Sequence, residues 1–487
     1  MEIDLLGGTY QHKFKDWNSQ RTINWYPKIT DQKAQEKNKT KIGLFPRPGL
    51  TQFSDVGGDS IRGLFVARTL KHNRCFAVSG TSLYEILYDG SNVLRGALTG
   101  MSSGSKSKVY MAANSNNQLM IQDPLAGYIF DMDSNTLTKI TDIDYPNGTT
   151  LDFSDAYFII SDGEGRVSFS DLLDGLTWPG INFFTPTFKP DKVKAIVASR
   201  EEIYCFGAET LEIYIDDGAT PFVRQSRTSM YYGLRARDSI AVHPAGVFYL
   251  GTSAMGGAEV YLMGLDYSIT PIASPDVSDI INQATNEDAE GFVVNTKDGH
   301  IFYHLHLPAL KTTMVYDLTT GMWHERQSLR PAPDADGEKI WDIYRGRNHV
   351  NFKGINLFGD WHSGKIFKED DKVSTDDGNV RRLKRISPVF FNELKYISVY
   401  SLQLDVNSGV GTVDVPNPTM MLRYSLDGGN TFESEEHLSL GAQGSYDERV
   451  IINNLGTARN WVIDFEVSDP VDVIVMQAQV HGSFGTF

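Results

Sequence analysis

Few residues in this chain stand at the spacing of a chemical motif, and each has a conformational reading beside the chemical one. Ser425, Asp427, Gly429, Thr431 and Phe432 spell the Asp-box pattern Ser-x-Asp-x-Gly-x-Thr-aromatic. In that pattern Asp and Gly shape a hairpin turn, the hydroxyls bond the backbone and the aromatic plugs a core, so the expectation is a fold element. Gly100-Met-Ser102-Ser-Gly104 has the lettering of a nucleophile elbow. That device needs a buried strand before the serine and a helix after it; here Ser105-Lys-Ser-Lys108 follows, which reads as a solvated loop. His304 and His306 share one face of an expected strand, and Asp360 and His362 lie further on. A zinc site needs three or four converging ligands with a second shell to hold them, and two histidines at i and i+2 do not supply that. Glu369-Asp370-Asp371 lacks the alternating oxygens and fixed glycine of a calcium loop and reads as a solvated face. No Gly-x-x-x-x-Gly-Lys-Ser/Thr phosphate loop occurs. Sixty-one acidic residues offer too many carboxylate pairs to single one out for glycan hydrolysis. No catalytic, cofactor-binding or metal-binding residue is therefore assigned.

The elements that would carry such residues are almost all short strands. The one helical candidate is Asp276 to Ala289, with Ser278 as its expected cap. Elsewhere a two-part phrase recurs: an aromatic-rich strand, a turn with Gly, Asp or Asn, then a strand ending in an aromatic. Aligned on that closing ring, the phrases end at Tyr84, Phe130, Phe169, Tyr214, Tyr261, Tyr316 and Phe367, spaced 39 to 55 residues apart. This is the period of a four-stranded propeller blade, which cannot bury both faces alone and must pack radially against its neighbours. The expected fold is all-β, a β-propeller-like repeat domain of six or seven blades with an N-terminal arm and a C-terminal β-sandwich; a pair of β-sandwiches is the alternative.

The expected divisions are an N-terminal arm and anchoring segment over 1–59, the repeat domain over 60–370, a charged linker over 371–387 and a sandwich over 388–487. In the arm, Asn24-Trp25-Tyr26-Pro27 and Leu44-Phe-Pro-Arg-Pro-Gly-Leu50 look anchored, and the polar stretch Thr30 to Lys41 between them looks like an exposed loop. Asp370, Asp371, Asp376 and Asp377, then Arg381, Arg382, Lys384 and Arg385, mark the linker. Beyond Pro388, Ile397–Val406, Met420–Ser425, Trp461–Val467 and Val471–Val480 alternate as sandwich strands do.

Length and charge bound the function. At 487 residues the chain exceeds one ordinary core. No stretch approaches the roughly 20 apolar residues that cross a bilayer, and Met1 to Lys13 has no basic-then-apolar leader pattern, so synthesis in a cytoplasm without membrane insertion is expected. Cys75 and Cys205 sit in apolar runs as small hydrophobes. The net charge of −16 opposes tight general binding to nucleic acid, yet an acidic wall would let DNA pass without sticking.

Arg21-Thr-Ile-Asn-Trp-Tyr-Pro27 leading to Leu44-Phe-Pro-Arg-Pro-Gly-Leu50 resembles the opening of the packaged-DNA stabilisation (tail hub or nozzle) proteins of short-tailed bacteriophages. Tyr204-Cys-Phe-Gly-Ala-Glu-Thr-Leu-Glu-Ile-Tyr214, then Val260-Tyr-Leu-Met-Gly, Tyr267 to Ser274 and Ile280-Ile281, continue the likeness in order over residues 20 to 320. The resemblance implies a non-enzymatic virion protein of the tail, needing no cofactor. It implies a homo-hexamer below the portal-adaptor ring that retains packaged DNA and conducts it at ejection. It also implies a tail needle or tip below, tail fibres or tailspikes alongside, and only transient, non-specific passage of double-stranded DNA. An anchored N-terminal arm could bridge subunits, which fits that picture. Two rivals make different demands. A propeller glycosidase or glycan-binding protein should carry several Asp boxes and a central arginine cluster, and a cellular propeller scaffold should lie away from portal and tail genes.

Overall fold

The computed structural model describes residues 6–11, 19–31, 40–104, 107–218, 222–225, 229–252, 256–333, 336–392 and 395–485. Seven antiparallel sheets, each with four strands in simple up-and-down order, follow one another along the chain. Their first strands are Ile61–Arg68, Tyr110–Ala113, Thr150–Ser154, Val193–Ser199, Ala241–His243, Glu290–Asn295 and Gly346–Phe352. The ring therefore has seven blades. All seven aromatics used to align the repeat fall on the third strand of successive blades, from Tyr84 in Ser82–Ile86 to Phe367 in Lys365–Asp370. The period is legible because each third strand is flanked by partners on both sides and fills the seam beside it.

One apolar core occupies each seam. Phe76 and Val78 of blade one meet Ile121 and Phe130 of blade two. Ile61 and Cys75 meet Phe352 and Ile366 across the closing seam between blades one and seven. The ring closes on itself: the fourth strand of blade seven is not downstream but Gly49–Asp55, paired antiparallel with Lys365–Asp370. Residues placed in the arm on sequence grounds thus belong to the last blade. Their pattern shows a strand, but only the ring supplies its partner.

The short helix runs Pro275–Ile281 between blades five and six, and its cap is Ser274 rather than Ser278: the Ser274 hydroxyl accepts from the Val277 N–H, with proline at the first helical position. Ser278 instead donates to the Glu259 carboxylate at 3.1 Å.

The C-terminal unit is a two-layer sandwich, and the N-terminal segment contributes to both layers. One sheet orders Trp25–Asp31, Thr40–Pro46, Val475–Phe484, Ile397–Val406 and Val450–Ala458. The other runs from Ser19–Ile23 through Leu383–Ile386, Val462–Val467 and Thr419–Ser425 to Glu436–Ser439. Trp25 and Leu44 lie in one core with Leu402, Trp461, Phe465 and Val480. Of the polar stretch expected as a loop, residues 32–39 lie outside the described residues.

Candidate functional site: the joint between propeller and sandwich

The residues of the opening motif converge where the two domains meet. Asn24 has φ 59°, a left-handed conformation that asparagine tolerates better than most side chains. At that residue the chain leaves one sandwich sheet, Ser19–Ile23, and enters the other at Trp25. The Asn24 amide nitrogen donates to the carbonyls of Gln327 (2.9 Å) and Arg382 (2.7 Å), and its oxygen accepts from Arg47 Nε (2.9 Å) and the Gln327 N–H (3.1 Å). One side chain ties blade six, the segment after blade seven and the arm together.

Trp25 points into the sandwich and donates its indole N–H to the Val473 carbonyl at 2.7 Å. Its neighbour Tyr26 points the other way, packing with Phe45 on Phe302 and Val315 of blade six and donating its hydroxyl to Asp298 at 3.1 Å. Ile23 and Glu325 pair in parallel, joining the outer strand of blade six to the sandwich sheet. Arg21 makes a bidentate pair with the same Glu325 at 3.0 and 2.5 Å.

Arg47 and Asp376 lie at the centre, 1% and 0% exposed, with two contacts of 2.8 and 2.5 Å. Burial by itself would raise the Asp376 carboxyl, but Arg47 beside it prevails and holds it below the usual carboxylate range. Ser328 donates to the same carboxylate at 2.7 Å. Arg381 bonds the Arg47 carbonyl and Asp472. Arg385 reaches the Gly8 carbonyl at 2.8 Å and the Thr22 hydroxyl at 2.7 Å. A side chain at Gly49 would meet the Val373 carbonyl, since an added Cβ falls 2.1 Å from that oxygen; only glycine lets the two segments cross.

Much of the charged run expected as a linker is therefore interior. Asp376 and Arg381 are buried beside a counter-charge, which a charge in a core needs, and Arg385 is buried with its guanidinium donating to the oxygens of Gly8, Thr22 and Gln20. Glu369, expected on a solvated face, is likewise mostly buried, 3.5 Å from Arg326. The burial of the charged run is not visible from composition, because Arg47 lies more than three hundred residues away in sequence from both Asp376 and Arg381.

The remaining motif residues are scattered. The Asp-box hairpin forms as expected at the backbone: the Asp427 carboxylate accepts from the N–H groups of Asn430 and Thr431 and from the Thr431 hydroxyl, at 2.7 to 3.0 Å. Those bonds, with the Ser425 hydroxyl, hold its carboxyl below the ordinary range. Phe432 does not plug a core; it is half-exposed, under the Arg423 guanidinium at 4.9 Å. Ser102 donates its N–H to Asp123 and its carbonyl accepts from Arg62, both loop-holding contacts; Ser105 and Lys106 lie outside the described residues.

His304 and His306 do share a face, turned into the seam between blades six and seven. Both ring nitrogens of His306 are engaged, one with Thr313 at 2.6 Å and one with the Gly346 carbonyl at 2.9 Å. His362 lies apart from them, in a separate polar cleft with Asp59, Lys311 and Arg330. Among the described residues no three His, Cys, Asp or Glu side chains are grouped to hold a metal ion. Burial pushes the Cys75 thiol up to about 12 and raises that of Cys205 well above the ordinary thiol value, so neither is a poised nucleophile. A cleft of about 570 Å³ opens beside the joint, lined by Tyr26, Lys28, Asp298, Phe302, Glu369 and Lys372 among others.

The middle motif is structural too. A Cβ on Gly207 would fall 2.3 Å from Asp191, whose carboxylate accepts from the N–H groups of Ala208, Glu209 and Thr210 at 2.7 to 3.0 Å. Glu212, 2% exposed at its side chain, accepts from the Phe188 N–H at 3.1 Å and the Tyr214 hydroxyl at 3.2 Å. The phrase fixes the turn of blade four and the segment leading into it.

Comparison with known proteins agrees with this architecture. The tail hub protein gp10 of Salmonella phage P22 is 23% identical over 463 residues, covering 92% of this chain and 93% of its own. Among solved structures, virginiamycin B lyase from Staphylococcus aureus aligns with a TM-score of 0.42 at 8% identity, over 66% of this chain and 98% of its own. The N-terminal domain of Nup159 gives 0.39 at 11%, over 70% and 99%. Those two alignments carry no functional weight. The model described as "Bacteriophage P22 Gp10, beta-propeller" matches residues 1–374, and its companion, "Bacteriophage P22 Gp10, beta-sandwich", matches residues 382–483. With seven blades, a sandwich and a joint made from both chain ends, the chain belongs to the phage P22 Gp10 family.

Proposed function

We propose that this chain is the structural tail hub of a short-tailed phage virion, without catalytic turnover. Six copies form a ring below the portal-adaptor, retain the packaged genome and line its exit, with a needle or tip below and fibres or spikes alongside. The observation that carries this reading is the correspondence with the P22 tail hub protein over 92% of this chain, with a family model matching each domain. The joint suits the role, because a wall that bears the load of a filled head needs domains that do not hinge. The two sandwich sheets and blade seven are all completed by the N-terminal segment, so propeller and sandwich are tied through several strands rather than one linker. The charge of −16 suits a passage that DNA crosses without adhering.

Ring contacts of this kind are heterologous and close by rotation, and obligate ones bury on the order of 2,000 Å² or more. The test is the mass of the purified protein alone and with the portal-adaptor complex of its phage. Six copies added per portal-adaptor ring is the expected result. A chain that stays unbound at saturating concentration overturns the reading, whereas a monomer in isolation is compatible with assembly templated by the complex.

A further inference from the structure

The sandwich sheet that carries Tyr26 and Phe45 has an outer face opposite its core. At the hairpin end that face is covered by the chain's own propeller, where Tyr26 and Phe45 pack on Phe302 and Val315. The same face continues across Val475–Phe484, Ile397–Val406 and Val450–Ala458, and there no described element covers it. Leu44 pairs with Val475 with both side chains in the core, so Phe45 and Met476, one residue further on each strand, share the outer side. Tyr400 is 51% exposed and Met476 44%. Around them stand Ser398, Gln403, Asn453, Thr457, Gln477 and Gln479. Asp405, His481 and Tyr400 are the only acidic, basic or phenolic residues on these three strands. In a chain that is 22% charged and carries −16, such a surface is where a second copy approaches with least repulsion. Its aromatic, its methionine and its scarcity of charge are features that interface centres share.

We propose that this uncovered face docks on the propeller of a second copy of the same chain, continuing between subunits the contact that its hairpin end makes within one. This rests on the hub reading and names the surface through which the ring closes.

The test places the photocrosslinking residue p-benzoylphenylalanine at Tyr400 and, separately, at Gln479, in virions assembled from a mixture of isotopically heavy and light chains. Mixed-label cross-links to a propeller peptide are the expected result. Cross-links confined to single-label pairs, links to a different polypeptide, or none at all would overturn the inference while leaving the hub reading intact. Purified tails lacking the chain would overturn both. An Asn453→Glu/Gln479→Glu variant places two carboxylates on the face, at positions that are not register partners. It should melt as the wild type does and load onto the portal-adaptor complex at least tenfold less. Equal loading counts against the proposed face.

Discussion

At the scale of single residues, the joint is where a substitution should tell most. Replacing Asp376 by Ala strands the Arg47 guanidinium, 1% exposed, without its counter-charge. Removing one partner of a buried pair costs about 3–5 kcal/mol, and urea unfolding of Asp376→Ala should show a loss of that size. Asp427→Ala is the matched control. Asp427 also anchors a hairpin through several bonds, but the hairpin is exposed, so the loss there should be a fraction of the first and leave the domain contacts intact. Equal costs for the two would mean that the Arg47–Asp376 pair is not the keystone its geometry suggests. Asn24→Ala removes four hydrogen bonds and puts a Cβ residue without a compensating amide at φ 59°. A buried group left unpaired costs about 1–3 kcal/mol, and several are left here, so the loss in the same assay should reach at least that range. Both signature phrases were legible as motifs in the sequence. What they do was not, because the side chains that fix them, Asn24, Arg47 and Glu212 among them, meet partners outside their own phrase.

At the scale of elements, the seam between blades six and seven is unlike the other six. It holds His304, His306, His324 and His349 beside Arg326, Phe292 and Tyr344. The ring nitrogens of His304 and His324 have no hydrogen-bond partner among the described residues. Burial, then the charge of Arg326, lowers both histidines well below the ordinary imidazole value. Burial likewise pushes His306 to about 3 and His349 to about 4. The folded state therefore keeps these rings neutral where the unfolded chain, near pKa 6.5, would bind protons. Their effect on stability is absent above pH 6.5, and stability falls as pH drops from there through 4. Every tenfold weakening of one ring's proton affinity on folding is worth about 1.4 kcal/mol. Urea midpoints at pH 7, 5.5 and 4.5 should decline, and a His304→Leu/His324→Leu variant should decline less steeply. A wild type as stable at pH 4.5 as at 7 contradicts this account. The i, i+2 spacing in the sequence revealed a shared face for His304 and His306, but what occupies the opposite side of the seam is a property of the ring.

At the scale of the whole molecule, the chain's two ends are one unit. Gly49–Asp55 closes blade seven, and Ser19–Ile23 with Trp25–Asp31 and Thr40–Pro46 completes both sandwich sheets. Deleting residues 1–59 should thus destroy cooperative folding of both domains rather than trim an arm. Deleting residues 1–47, which spares the closing strand, should leave a folded propeller beside a disordered sandwich. Circular dichroism melts and limited proteolysis of the two truncations check this. A 60–487 fragment that melts cooperatively, with both domains protease-resistant, would show that the N-terminal strands are dispensable.

The sequence by itself determined the all-β class, the repeat period of the blades, the presence of a C-terminal sandwich and the family, because these depend on local alternation, turn residues and the order of short motifs. Tertiary structure alone decided the rest: that the seventh blade borrows its outer strand from upstream, that a charged run is the core of a joint, and that a sparsely charged sheet face lies open among the described residues. Each of these depends on which distant groups meet. A buried Asp beside Arg47 and a solvated Asp in a linker are the same letter, and only the partner across the fold settles whether the charge can leave water.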